Sequence, residues 1–288
     1  MFLEQIYKNS QKPVISFEVF PPKENFEEKS QKLIEELTIL KQFDPAFISV
    51  TYGAGGSTQN HSFEIAMKIK NELSIEIMPH FTCIGASKEN VKQYLNLIKN
   101  NDISSILALR GDVPQDCEDF EFNNDFRFAS DLVEFIKSQT NLSIGVAGYP
   151  EVHKEAKNAE QDLINLKKKI DSGANVIITQ VFFNNDHYFD FVEKARQIGI
   201  NTPIIPGILP ITNLKQIERM VSMCGSEIPI DLIDQIKKHQ DDKKAMKKIG
   251  VEFAIEQCRQ LLNSDVAGIH FYTLNKASAT KEVLKNIL

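Results

Sequence analysis

A single carboxylate interrupts the apolar run Ser16-Phe17-Glu18-Val19-Phe20-Pro21-Pro22. An apolar setting favours the protonated form of a carboxyl, which is the form that donates a proton. Glu18 is therefore a candidate general acid, and the two-residue period of a strand puts it on the face of Ser16 and Phe20. A structural glutamate paired with a buried Lys or Arg is the competing reading, although no basic residue stands close to it in sequence.

Other chemistry-bearing residues are spread along the chain. Arg110-Gly111-Asp112 follows an apolar run. Gly111 would let the backbone approach a flat ligand, and Asp112 could accept hydrogen bonds from a heterocycle. Such a tripeptide also arises by chance in turns, so an Arg-Asp pair closing the loop is kept beside that reading. His80, after Met78-Pro79, is either a site residue or a hydrogen-bonded core histidine. Gly53, Gly55 and Gly56 could cradle phosphate but have neither the Walker spacing nor the GxGxxG dinucleotide fingerprint, and a plain loop explains them as well.

Lys167, Lys168 and Lys169, with His153, Lys154 and Lys157, form the densest basic cluster. A run of this kind is usually a solvated helix face, yet two inward cations could hold a pyrophosphate. Cys83, Cys117, Cys224 and Cys258 form no CxxC pair and have no His at metal-ligand spacing, so free cytosolic thiols are expected. No metal-ligand pattern and no nucleophile elbow is visible.

These residues need elements to position them. Eight β-branched or aromatic runs recur, most of their starts about 30 residues apart, each followed by a stretch of helical period. The expected strands are 14–20, 47–52, 75–82, 104–110, 142–148, 175–182, 202–206 and 268–273. Expected outer helices include 28–41, 88–99, 129–139 and 162–172, with extra helices over 230–239 and 243–262 filling the long interval before the last strand. The near-continuous apolar strands suit a parallel sheet buried on both faces. The expectation is an α/β (β/α)8 TIM barrel forming one domain over 1–288. Gln115 to Asp125 is expected to be a long loop.

In such barrels the strand ends and the loops after them carry catalysis. That rule selects Glu18, Thr51-Tyr52-Gly53-Ala54-Gly55-Gly56, His80, Arg110-Gly111-Asp112, Tyr149 to His153, Gln180, the turn from Gly207 to Pro210, and Tyr272.

Composition limits the alternatives. The 288 residues are 42% hydrophobic and 25% charged, ordinary for a globular chain. The net charge of -6 argues against a general nucleic-acid surface. The first twelve residues do not resemble an export signal and no apolar stretch is long enough to span a bilayer, so a soluble cytoplasmic protein is expected.

With the strand ends in view, the chain resembles the methylenetetrahydrofolate reductase family. The segments that carry the resemblance are Ser16 to Pro22, Val50-Thr51-Tyr52-Gly53-Ala54, Pro79 to Cys83, Ala108 to Asp112 and Tyr149 to His153. Gly173-Ala174-Asn175, Ile178-Thr179-Gln180, Pro206 to Pro210 and His270 to Asn275 continue it. Each is modest alone, and all of them in order are specific.

The resemblance implies non-covalent FAD, reduced by NADH or NADPH, passing hydride to 5,10-methylenetetrahydrofolate by a ping-pong route and supplying methyl groups for methionine synthesis. Glu18 matches the general acid that assists opening of the folate's five-membered ring. Asp112 matches an aspartate that holds the pterin and influences the flavin. The implied FAD contacts are Thr51, Tyr52, Ala54, His80, Arg110, Gly111, Asp112, Ala129, Tyr149, His153, Ala156, Asp162, Asn165, Lys168 and Lys169. Substrate positions are Glu18, Thr51, Asp112, Gln180, Gln216, Tyr272 and Lys276.

Three residues depart from the family pattern: Lys276 and Lys168 stand where Arg is usual, and Met220 where an aromatic is usual. A Lys offers a point charge where Arg offers a bidentate fork, which bears on affinity and not on reaction type. The resemblance also implies homo-oligomers, and the chain's end after the barrel implies no adenosylmethionine-binding regulatory domain. Competing readings are another FAD barrel such as a proline oxidase, a pterin-binding methyltransferase on the same scaffold, and a non-catalytic folate or flavin carrier.

Overall fold

The computed structural model describes residues 3–52, 59–112 and 125–288. The expected loop from Gln115 to Asp125, apart from Asp125, and the glycines at 53, 55 and 56 with Ala54 lie outside the described residues, as does Cys117.

Strands and helices alternate. The strands are β1 (Val14–Val19), β2 (Phe47–Val50), β3 (Ile77–Thr82), β4 (Ser105–Leu109), β5 (Ser143–Gly148), β6 (Val176–Thr179), β7 (Ile204–Ile205), β8 (Gly207–Ile208) and β9 (Gly268–Tyr272). The helices are α1 (Leu3–Asn9), α2 (Phe26–Lys41), α3 (Gln59–Leu73), α4 (Lys88–Asn100), α5 (Ala129–Gln139), α6 (Ala159–Asp171), α7 (Asn185–Gln197), α8 (Leu214–Cys224), α9 (Ile230–Lys238), α10 (Lys243–Asn263) and α11 (Ala277–Ile287).

All pairings are parallel, in the order β7-β6-β5-β4-β3-β2-β1-β9-β8. Because β7 and β8 adjoin through Pro206, the two ends of this order meet and the sheet is a barrel. The single strand expected over 202–206 is thus corrected: it is two short segments, one on each neighbour. Proline has no N–H to extend a ladder. Its carbonyl instead accepts from the His270 N–H at 3.0 Å. The next residue must be glycine, since a Cβ on Gly207 would lie 2.3 Å from the Thr179 carbonyl oxygen and 2.6 Å from the Tyr272 ring.

Strand alternation divides the core. Ile15, Phe17 and Val19 of β1, with Ile48 and Val50 of β2, face outward onto helix residues such as Leu33, Leu37 and Ile69. Each fully buried aliphatic side chain of this layer contributes roughly 1.5–3 kcal/mol. The barrel interior is a second cluster: Val14, Phe47, Met78, Leu107, Val176, Ile178 and Ile205 pack with Leu3 and Tyr7 of α1. The N-terminal helix therefore plugs the lower mouth, held by a hydrogen bond from Leu3 N to Ser143 Oγ at 2.9 Å. The extra helices expected before the last strand are present, with α8 in addition.

Candidate active site

Moving up the barrel axis from Phe47, the inward residues turn from apolar to polar. On β1 the order is Val14, Ser16, Glu18, and β9 follows with Gly268, His270, Tyr272, in register so that Ser16 pairs with His270 and Glu18 with Tyr272. Ser16 Oγ and His270 Nδ1 share a 2.7 Å hydrogen bond. His270 stacks on Phe47 with ring centroids 6.1 Å apart, marking the boundary between the two halves.

Glu18 sits at the top of this column, only 8% exposed. Its Oε2 lies 3.5 Å from His80 Nε2 and 3.8 Å from His270 Nε2. Neither Lys nor Arg approaches it among the described residues, so the reading of Glu18 as half of a buried ion pair finds no partner. Burial pushes the His80 imidazole down to about 4, with Glu18 opposing and His270 reinforcing the shift. His80 is therefore neutral at pH 7, and its buried Nε2 has no hydrogen-bond partner. The turn after β9 is tied to the same place: Thr273 donates its hydroxyl to the Glu18 carbonyl at 2.7 Å, and Asn275 brackets the backbone of Phe20 with two 2.8 Å bonds.

Parallel strands put all their C-terminal ends at one mouth, so Glu18, Asp112 and Gln180 share a rim. Cys224, at the end of α8, lies among them. Burial raises its thiol to about 11, with Glu18 and Asp112 adding to the rise. Cys83 rises to about 12 for the same main reason, so neither thiol is a nucleophile at neutral pH.

Arg110 does not pair with Asp112. Its guanidinium makes a fork with Glu155, 2.6 and 2.7 Å, which holds the Glu155 carboxyl below its usual range. Asp112 is exposed and faces Lys154 at 3.8 Å. Gly111 between them has φ +85° and no room for a side chain, since a Cβ would lie 2.8 Å from that of Thr82. Gln180 turns its side-chain oxygen back to accept from Val181 N at 2.9 Å, and Tyr272 donates to the Thr179 carbonyl at 2.8 Å. Thr51 and Tyr52 follow β2, with Tyr52 packed on Phe81 and Tyr94.

Beside the mouth, a cavity of about 240 Å³ opens between the ends of β4 and β5 and the starts of α5 and α6. It collects nine of the expected residues: Arg110, Ala129, Tyr149, His153, Ala156, Asp162, Asn165, Lys168 and Lys169. The basic run separates by role here. Lys167 pairs with Asp171 on the helix surface, whereas Lys168 and Lys169 line the cavity. Lys169 is half-buried and donates to the Ala147 carbonyl at 2.6 Å. Desolvation lowers its pKa to about 8, with Asp162 opposing. Asp162 also accepts from His153 N at 3.0 Å.

The turn that presents these groups is strained. Val152 takes φ +68°, which a β-branched residue rarely adopts. It is held from both sides, through Glu151, which accepts from Glu227 N, and through His153.

Sequence reasoning missed Phe128 and Glu155, which also line the cavity, and gave no role to His270. Phe128 is half exposed just before α5, and a large aromatic at a helix start after a strand end was the available signal. Lys276 lies outside this cavity, exposed at the start of α11. The side chains of Gln216 and Met220 lie outside the described residues. No group of three or more His, Cys, Asp or Glu side chains that could hold a metal is found among the described residues, and no helix there is long and apolar enough to cross a membrane.

A parallel barrel with a nearly buried carboxyl at one rim and a basic cavity beside it defines the class: a (β/α)8-barrel protein. The comparisons narrow that class. Residues 3–288 match the family model described as methylenetetrahydrofolate reductase, and the chain belongs to that family. It is 39% identical over 263 residues to 5,10-methylenetetrahydrofolate reductase of Escherichia coli K12, covering 91% of this chain and 86% of that one. It is 39% identical over 284 residues to methylenetetrahydrofolate reductase (NADH) 1 of Arabidopsis thaliana, covering 94% of this chain. The chain spans about half the length of that plant relative, 48%. Among solved structures, a Clostridium thermocellum protein that binds two copies of 5-methyl-5,6,7,8-tetrahydrofolic acid shares the fold, with TM-score 0.69, 17% identity and 99% and 98% of the two chains covered.

Proposed function

We propose that this chain is a catalytic barrel that reduces 5,10-methylenetetrahydrofolate to 5-methyltetrahydrofolate with a nicotinamide dinucleotide, using non-covalent FAD. Family membership supports the reaction, and the observation that carries it is Glu18: a nearly buried carboxyl at the catalytic rim, flanked by histidines and, among the described residues, by no Lys or Arg. The plant relative's name includes NADH, which supports NADH over NADPH. The reading extends to a single-domain, cytoplasmic, homo-oligomeric protein.

The cavity residues suit a dinucleotide. Arg110, Lys168 and Lys169 supply positive charge and exposed Phe128 an aromatic face, while the orphaned Nε2 of His80 offers a polar partner nearer the mouth. Tyr149, His153, Asp162 and Asn165 would line the rest. Bound flavin supplies a two-electron carrier between nicotinamide and folate.

The chain's own groups do the remainder. Glu18 presents a nearly buried carboxyl between His80 and His270, with no Lys or Arg beside it among the described residues, and is the group that delivers a proton to the opening folate ring. Asp112, exposed on the rim, accepts from the pterin, and Gln180 offers an amide once it leaves Val181. Tyr272 floors the site, and Thr51 and Tyr52 border it.

The test is visible. Purified protein should be yellow, NADH should bleach it without oxygen, and methylenetetrahydrofolate should restore the colour. A colourless protein unable to take up FAD overturns the reading, and flavin that binds but never bleaches points to a carrier.

A further inference from the structure

We propose that Glu155 is a positioning residue that assigns Arg110 to the dinucleotide cavity and keeps it off Asp112, leaving Asp112 free for the pterin. This rests on the flavin and folate reading above and adds a residue to which that reading gives no part.

Two acids compete for one guanidinium. Arg110 and Asp112 stand two residues apart, and if the extended backbone of β4 ran on, both side chains would point the same way. Gly111 breaks that alternation: its φ is +85°, and a Cβ there would lie 2.8 Å from the Thr82 Cβ. The Arg110 carbonyl accepts from Ile84 N at 2.8 Å, so the turn is also fixed on its β3 side. Asp112 nonetheless stays within electrostatic reach of Arg110 and favours its charged form. What takes the guanidinium away is the fork to Glu155, at 2.6 and 2.7 Å. Arg110 Nε donates to the Gly111 carbonyl at 3.2 Å. With all three nitrogens engaged the plane is set, and each terminal nitrogen keeps one N–H for a ligand.

The carboxylate that does this is itself held. Glu155 N donates to His153 Nδ1 at 3.1 Å, Ala156 N to the His153 carbonyl at 2.8 Å, and His153 N to Asp162 at 3.0 Å in the first turn of α6. A chain of bonds thus runs from α6 through the turn after β5 to the end of β4. The Glu155 side chain is half exposed, and an ion pair in that setting adds little to fold stability. Its effect is on where the charge of Arg110 points.

Charge alone predicts the opposite influence on binding. Glu155 and Asp162 line the cavity together with Arg110, Lys168 and Lys169, so removing one acid should draw a diphosphate in more tightly. Positioning predicts a loss instead, because a released Arg110 turns to Asp112. The sign of the effect separates the two.

The experiment dilutes holoenzyme and follows released flavin by its fluorescence in the wild type, Glu155→Ala, Asp112→Asn and the double variant. Glu155→Ala should weaken flavin binding about tenfold, the size of one charge-assisted contact. In the Asp112→Asn background the competing acid is gone, and losing Glu155 should weaken binding by no more than about threefold, a coupling that a purely local role would not produce. The isosteric Glu155→Gln should show the same pattern, and it stands in if the alanine variant does not fold. Tighter or unchanged flavin binding on loss of Glu155, or an equal loss in both backgrounds, overturns the proposal. If the wild type takes up no FAD, the flavin reading fails separately. Calorimetric titration of the same proteins with inorganic pyrophosphate then decides the role of Glu155 by the same ratios, and a wild type that binds no pyrophosphate rejects it.

Discussion

The two ends of the barrel share the same strands and differ in almost everything else. At the lower end Val14, Phe47 and Met78 close against Leu3 and Tyr7 of α1 in a packed apolar core, where the Tyr7 hydroxyl is the buried polar atom. At the upper end the same strands present Glu18, Ser49 and His80, whose buried Nε2 makes no hydrogen bond, and cavities on two sides. Two or four residues along a strand move a side chain from the packed half to the chemical half. The lower end stabilises the scaffold, and the upper end spends part of that stability on groups that are costly to bury.

The division can be broken most forcefully from below. Phe47→Ala should destabilise the fold by about 3–5 kcal/mol in urea titration, because it empties the fully buried centre of the inner cluster. Flavin affinity of the folded variant should hardly change. A comparable collapse of flavin affinity would show that the two ends are not separable.

A smaller effect probes the upper end. His80 has a folded pKa of about 4 against 6.5 when free, so between those values the unfolded chain binds the extra proton. Stability should therefore fall as pH drops from 6.5 toward 4, with His80 contributing up to about 3 kcal/mol of the loss. His80→Asn should flatten that part of the Tm profile. An unchanged acid slope would mean that His80 is not held neutral by burial.

The smallest expected effect concerns the cavity. Lys169→Met should weaken flavin binding about tenfold at pH 7, the loss of one charge-assisted contact. In the wild type, affinity should decline as pH rises through about 8, where the free protein's Lys169 loses its proton. Fluorescence titration reads both, and flat affinity from pH 7 to 9 would remove Lys169 from the phosphate contact.

Much of this was legible from residue order. The limits expected for the helix at 129–139 agree with α5, and every strand found begins or ends within a few residues of an apolar run, because burial on both faces leaves a strong periodic signal. The split at Pro206 was not legible: which neighbour a strand pairs with is a property of closure, not of its own composition. The role of α1 was missed although Leu3 and Tyr7 stand four apart, since so short an amphipathic stretch does not say what it covers. Within the candidate site, Glu18 stood out as a charge in an apolar strand. Glu155 did not, because only the folded chain brings its carboxylate to Arg110 across 45 residues.

The account depends on Glu18 as the proton donor of the folate half-reaction alone. Stopped-flow measurement of the two half-reactions in Glu18→Gln tests that dependence directly. Flavin bleaching by NADH should stay within a few-fold of wild type, while re-oxidation by methylenetetrahydrofolate should slow by about 10²–10⁴-fold. Folate-driven re-oxidation at the wild-type rate would contradict the account.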